Sequence, residues 1–159
     1  MIVQEITASF EEIFPLSYAE DFDNIGLLIG DPNQEVTGVL VTLDTLEATL
    51  EEAIAKNCNL IVSFHPIIFS GLKSITGKSY VERVVLGAIK NEIAIFAIHT
   101  AFDNSAHGMG KGMCDALGLN DREILIPKKG IIKKLTTYIP KNEVLSVRDA
   151  LFYNPFFWY

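Results

Sequence analysis

TGVLVTLDTLEATLEEAIAKNCNLIVSFH, residues 37–65, is the stretch whose reading decides the fold. Its first part, TGVLVTLD, is a β-branched run that ends at Asp44 and reads as a buried strand. Asp44 and, three positions on, Glu47 stand where a capping box would open a helix. Leu46, Leu50, Ala53 and Ile54 then line one helical face to about residue 57. NLIVSFH, residues 59–65, is again apolar and strand-like. Strand, helix and strand in this order make one crossover unit of a parallel sheet.

The same unit continues downstream. Ser79 and Glu82 are spaced to cap a helix carrying Val81, Val84, Val85 and Ile89 on one face, and IAIFAIHT, residues 93–100, supplies the next strand. A further helix is predicted from about Ala106 to Leu117, stopped by Gly118. Upstream, Ile2, Ile6, Phe10, Ile13 and Phe14 recur at helical spacing until Pro15 breaks the pattern. A short strand from Ile25 to Ile29 and a turn at Asp31-Pro32-Asn33 lead into the deciding stretch. The class is α/β: a mostly parallel sheet, with helices brought to both faces by right-handed crossovers.

The rhythm changes after Pro127. KKLTTYIP, residues 133–140, reads as a strand, and LSVRDALF, residues 145–152, opens like a helix. We therefore divide the chain into a core, residues 1–127, and the start of a second, α+β module, residues 128–159. The aromatic ending YNPFFWY, residues 153–159, either docks on the core or marks an interrupted reading frame.

The 159 residues are 49 % apolar and 21 % charged, which excludes a disordered or fibrous class. A net charge of -7 disfavours a broad nucleic-acid or anionic-membrane surface, and the small cluster Lys128, Lys129, Lys133 and Lys134 reads as a solvated face. The opening residues carry acids instead of a basic leader and form no long apolar block, so neither a signal peptide nor a membrane span is predicted. Cys58 and Cys114 lack CxxC partners and read as reduced, buried packing residues of a cytoplasmic protein.

In open parallel sheets ligands bind beyond the carboxyl ends of the strands, so polar residues that follow strands carry the most weight. Three such places occur: Asp44, His65, and His99-Thr100 with Asp103. Imidazole and carboxylate together suit Zn, Mn, Fe, Co or Ni. Each residue also has a structural reading. His65, before Pro66, and His99 can simply bond backbone groups, and Asp103 can cap the helix expected near Ala106. Other templates fail: GMGKG at 108–112 lacks phosphate-loop spacing, GxGxxG is absent, and Ser63 and Ser70 lie outside any GxSxG.

Four segments together resemble the NIF-three-like family, whose members are known as GTP cyclohydrolase 1 type 2 homologues. They are FDNIGLLIGD at 22–31, VLVTLD at 39–44, FHPIIFSGLK at 64–73 and AIHTAFDN at 97–104. The family pattern has a His-His-Pro element after one strand and a His-Thr-x-x-Asp element after the next. The resemblance implies a dinuclear centre for divalent metal ions, two per complete site, with His65 and Asp103 as ligands. His99, Thr100 and Asp44 are carried as rim or supporting residues. Phe64 stands at the first His position, and its ring has no lone pair to offer, so one ligand is missing. The family's remaining ligands, a His and a Glu, come from a C-terminal part that this sequence does not contain. The sequence therefore reads as a truncated copy of a metal-dependent hydrolase of unknown small-molecule substrate, which the resemblance also implies is a ring-shaped homo-oligomer. A non-catalytic metal-binding or interaction protein, or an inactive fragment, is the alternative.

Overall fold

The computed structural model describes residues 1–127 and 136–152. The chain forms two compact units, Met1–Leu119 and Asn120–Tyr159, each taken separately below.

The first unit runs α1 (Val3–Ile13), β1 (Gly26–Ile29), β2 (Val39–Thr42), α2 (Glu47–Ala55), β3 (Leu60–Ser63), α3 (Tyr80–Lys90), β4 (Ala94–Ala97), α4 (His99–Asp103) and α5 (Met109–Ala116). Its four strands form one sheet in the order β1-β4-β3-β2. β2, β3 and β4 are parallel, while β1 pairs antiparallel with β4.

The central strands β3 and β4 are buried along their whole length, and alternation sorts their side chains between two cores. Leu60, Val62, Ala94 and Phe96 face Val3 of α1, with Ile6 and Phe10 packed beside them. Ile61 and Ile95 face the other way, onto Leu50 and Ala53 of α2 and Val84, Val85 and Ala88 of α3. Helices thus cover both faces, but by a different route from the one expected. Both crossover helices share one face, because β2, β3 and β4 are laid down in a single direction and crossovers of one hand then return on the same side. The other face is closed by α1, which is not a crossover.

The expectation of a buried strand at TGVLVTLD is corrected: β2 is the sheet edge, with Val41 73 % exposed while Leu40 packs inward. A short apolar run reads alike at an edge and at a centre, so periodicity could not separate them. Asp44 does not cap α2. Leu46 holds that position, its N–H donating to Thr49 Oγ1 at 3.3 Å, which leaves the Asp44 carboxylate for another partner. At α3 the expected cap forms, with Glu82 N–H donating to Ser79 Oγ at 3.2 Å.

The helix expected from Ala106 is instead two pieces, α4 beginning already at His99 and α5 at Met109. Between them the chain turns tightly at Gly108, where a Cβ would lie 1.7 Å from the Phe102 carbonyl oxygen. α5 ends as expected at Gly118, which takes φ +68°. Gly118 N–H donates to Asp115 O at 3.1 Å and Leu119 N–H to Cys114 O at 2.9 Å, the paired bonds of a Schellman ending. Cys58 and Cys114 are free thiols and half-buried, less enclosed than expected.

In the second unit, a single 3-10 turn at Lys141–Glu143 leads into α6 (Val144–Phe152), the helix expected of LSVRDALF. Residues 136–140 are not a strand. The rest of KKLTTYIP, the lysines at 128, 129, 133 and 134, and the YNPFFWY ending lie outside the described residues. Among the described residues no helix is long and apolar enough to cross a membrane.

Phe96 is fully buried at the centre of the α1 face. Phe96→Ala is expected to lower the free energy of unfolding by about 3–5 kcal/mol, read by urea denaturation.

Candidate functional site

Backbone pairing does not stop where β3 and β4 end. Phe64 N–H donates to Thr42 O and His65 N–H to Leu43 O, each at 3.0 Å, while Ile98 N–H donates to Ser63 O at 3.1 Å and His99 N–H to Phe64 O at 3.0 Å. The residues just past the strands are therefore held as firmly as the strands themselves. Asp44, His65 and His99, well separated in sequence, are fixed along one rim.

His65 Nδ1 lies 2.8 Å from Asp44 Oδ1, with both side chains about half exposed. This bond is where the Asp44 carboxylate goes in place of the α2 cap. A carboxylate can only accept, so in the neutral ring the pairing places the proton on Nδ1 and leaves the lone pair on Nε2.

His99 makes a second pair of the same kind, but buried. Its Nδ1 is 3.0 Å from both carboxylate oxygens of Asp23, whose side chain is fully enclosed. The Thr100 N–H donates to Asp23 Oδ2 at 3.2 Å and the Thr100 hydroxyl donates to the same oxygen. Burial by itself pushes the Asp23 carboxyl up. The bonds from the Thr100 hydroxyl, the His99 ring and the backbone N–H groups of Thr100 and Asn24 outweigh it and hold the carboxyl below its ordinary value. The Thr100 hydroxyl also accepts from Glu20 N–H at 3.0 Å, and Asn104 Nδ2 donates to Tyr18 O at 2.8 Å, so the loop before β1 is stitched to α4.

Asp23 was not singled out from the sequence, because the rule applied there counts polar residues that follow strands. β1 is antiparallel, Gly26 pairing with Ala97, so the residues that precede it arrive at the rim that the other strands leave. Its position in the FDNIGLLIGD segment was the available signal.

Phe64 packs its ring edge-on against both imidazoles, with centroids 4.9 Å from His65 and 5.2 Å from His99. The two imidazoles are themselves 5.4 Å apart and inclined at 71°. Asp103 is the last residue of α4, four positions and about one turn beyond His99, and is exposed. Its reading as a helix cap falls away, since Gly108 precedes α5. The structure thus gathers Asp23, Asp44, His65, His99 and Thr100 at one edge, with Asp103 nearby along α4. Among the described residues no three His, Cys, Asp or Glu side chains are grouped so that they could hold a metal ion. The donor types and the orientation of His65 fit a divalent ion; a full ligand shell is not assembled from these residues.

Residues 1–150 match the family model described as Duf34/NIF3 (NGG1p interacting factor 3). The chain belongs to the Duf34/NIF3 family. It is 40 % identical over 149 residues to a Bacillus subtilis protein named GTP cyclohydrolase 1 type 2 homolog, covering 93 % of this chain and 40 % of that relative. A Staphylococcus aureus protein of the same name is 36 % identical over 151 residues, covering 95 % of this chain and 41 % of the relative. Among solved structures, a Bacillus cereus protein related to NIF3 superposes with a TM-score of 0.76 at 38 % identity, covering 80 % of this chain and 35 % of that one. The chain spans about 40 % of the length of the named relatives it matches. The α/β class and the family resemblance expected from the sequence both hold.

Removing the Asp23 carboxylate strands the Thr100 hydroxyl and the His99 N–H in a buried place. Asp23→Ala is expected to lower stability by about 1–3 kcal/mol at neutral pH. Because the folded carboxyl sits below its ordinary 3.8, its contribution is complete above that value and is lost as pH falls through the lowered one. Denaturation midpoints of the two proteins should therefore stay separated through neutral pH and converge in strong acid.

Proposed function

We propose that this Duf34/NIF3 chain binds a divalent metal ion (Zn, Mn, Fe, Co or Ni) through His65 and Asp103 and contributes this part of a dinuclear, metal-dependent hydrolytic centre. The observation that carries the reading is the 2.8 Å pairing of His65 Nδ1 with Asp44, the arrangement by which a carboxylate commonly fixes a metal-binding imidazole with Nε2 free. Asp103 supports it as an exposed carboxylate one helical turn past His99, with no hydrogen bond or ion pair to any described residue. Here Asp44 orients His65, and Thr100 with His99 forms a rigid wall of the site.

The chemistry such an ion supplies is activation of water and polarisation of a phosphoryl, amidine or carbonyl oxygen. The protein's share is to hold the substrate beside the rim. Action on a guanine nucleotide follows only from the names of the relatives, and nothing in these residues selects guanine. A ring-shaped homo-oligomer in the cytoplasm is part of the same proposal; the exposed apolar residues of the β2 edge, Val41 and Leu43, are what favours association.

Phe64 favours a second reading, a metal-binding or interaction protein without catalysis. The aromatic ring stands where the family pattern has a histidine, and it contacts both imidazoles without offering a donor.

Metal content measured on the purified full chain separates the readings. A dinuclear centre should give about two ions per chain, a site reduced by Phe64 about one, and no bound ion overturns both metal-binding readings and leaves the interaction protein. His65→Ala is expected to abolish binding, and Asp44→Asn to weaken it about 10–100-fold.

A further inference from the structure

β2 closes one side of the sheet, and among the described residues no strand pairs with its outer side. On its inner side the ladder uses alternate residues. Leu60 N–H donates to Gly38 O at 3.2 Å and Phe64 N–H to Thr42 O at 3.0 Å. With β2 and β3 parallel and in register, Gly38, Leu40 and Thr42 therefore turn their backbone groups to β3. Val39 and Val41 turn theirs to the free edge.

A second copy of the same strand fits these groups. When it runs antiparallel about a two-fold axis at Leu40, Val39 of each copy stands opposite Val41 of the other. Each such pair can exchange both of its N–H···O bonds. The neighbouring two-fold registers lose a pair. A shift one way needs Thr37 N–H, which already donates to Asn59 Oδ1 at 2.8 Å. A shift the other way needs the Leu43 carbonyl, which already accepts from His65 N–H at 3.0 Å.

The side chains agree with this register. Val39 and Val41 lie beside Leu60 and Val62 on the α1 face, yet Val41 and, two positions on, Leu43 are left 73 % and 57 % exposed. Pairing sets Val39 of each copy against Val41 of the other, with Cα atoms about 5.5 Å apart, and brings Leu40 to its own copy on the opposite face. No acid then faces an acid: Asp44 falls opposite Val36, and Glu35 opposite Thr45. A contact confined to one short strand is smaller than the about 1,600 Å² of a standard stable interface, so the association is reversible.

We infer that the outer side of β2 is a two-fold interface at which a second copy of this chain extends the sheet through Val39 and Val41. The inference rests on the homo-oligomer reading above and gives it a surface, an axis and a register.

The test is amide hydrogen exchange of the full chain, read residue by residue by NMR at low and high protein concentration, with the mass followed by sedimentation. The mass is expected to rise from one chain to two. Val39 and Val41 N–H should slow about tenfold where nine chains in ten are paired, while Leu40 and Thr42 N–H, bonded to β3 in either state, change far less. Val41→Lys alters an exposed side chain and should raise the concentration needed for association by at least about tenfold. Association without slowing at Val39 and Val41 overturns this inference and leaves the homo-oligomer reading standing. A chain that stays single at every concentration overturns both. Exchange in the unmodified chain decides even if Val41→Lys fails to fold.

Discussion

The parallel, in-register pairing of β3 with β4 is the constraint on which everything else here depends. These two strands are enclosed on both faces, so their alternation sets which side chains meet α1 and which meet α2 and α3. Because the pairing runs on through Phe64, His65, Ile98 and His99, the same hydrogen bonds that build the core also place the two imidazoles. Preorganisation of this kind needs no additional loop structure. A site built on continued strands inherits the rigidity of the sheet.

The two histidine–carboxylate pairs differ in setting, and the difference is instructive. Asp44 and His65 meet at the open edge, where solvent screens their attraction and the bond serves mainly to orient the ring. Asp23 is enclosed and its carboxylate accepts from several donors at once, so it ties the loop before β1 to α4. One pair is open to solvent and the other is held inside the fold. Phe64 fills the space beside both rings with apolar surface.

Much of this was legible from residue order. The strands at NLIVSFH and IAIFAIHT, the Ser79 cap and the Gly118 ending follow from local chemistry that tertiary structure did not override. The convergence of Asp44, His65 and His99 followed from one topological rule about strand ends. What could not be read were facts about neighbours: that β2 lies at an edge, that both crossovers return on one face, and that β1 runs backwards and delivers Asp23 to the rim. The misplaced capping role for Asp44 has the same origin. A carboxylate near a helix start serves the helix only if no imidazole on an adjacent strand competes for it, and His65 does.

The free side of β2 has a consequence for how copies of the molecule behave in solution. Val39, Leu40, Val41, Thr42 and Leu43 follow one another without a lysine, a proline or any charge, the usual guards against edge-to-edge pairing. Val41 and Leu43 are more than half exposed on that strand. Long-range repulsion from the net charge of -7 opposes the approach of two such edges. That repulsion is a property of the solvent as much as of the protein: it is strong in dilute buffer and fades within about 10 Å at 0.1 M salt. The readiness of this edge to pair is therefore set by the ionic atmosphere as well as by the residues that form it.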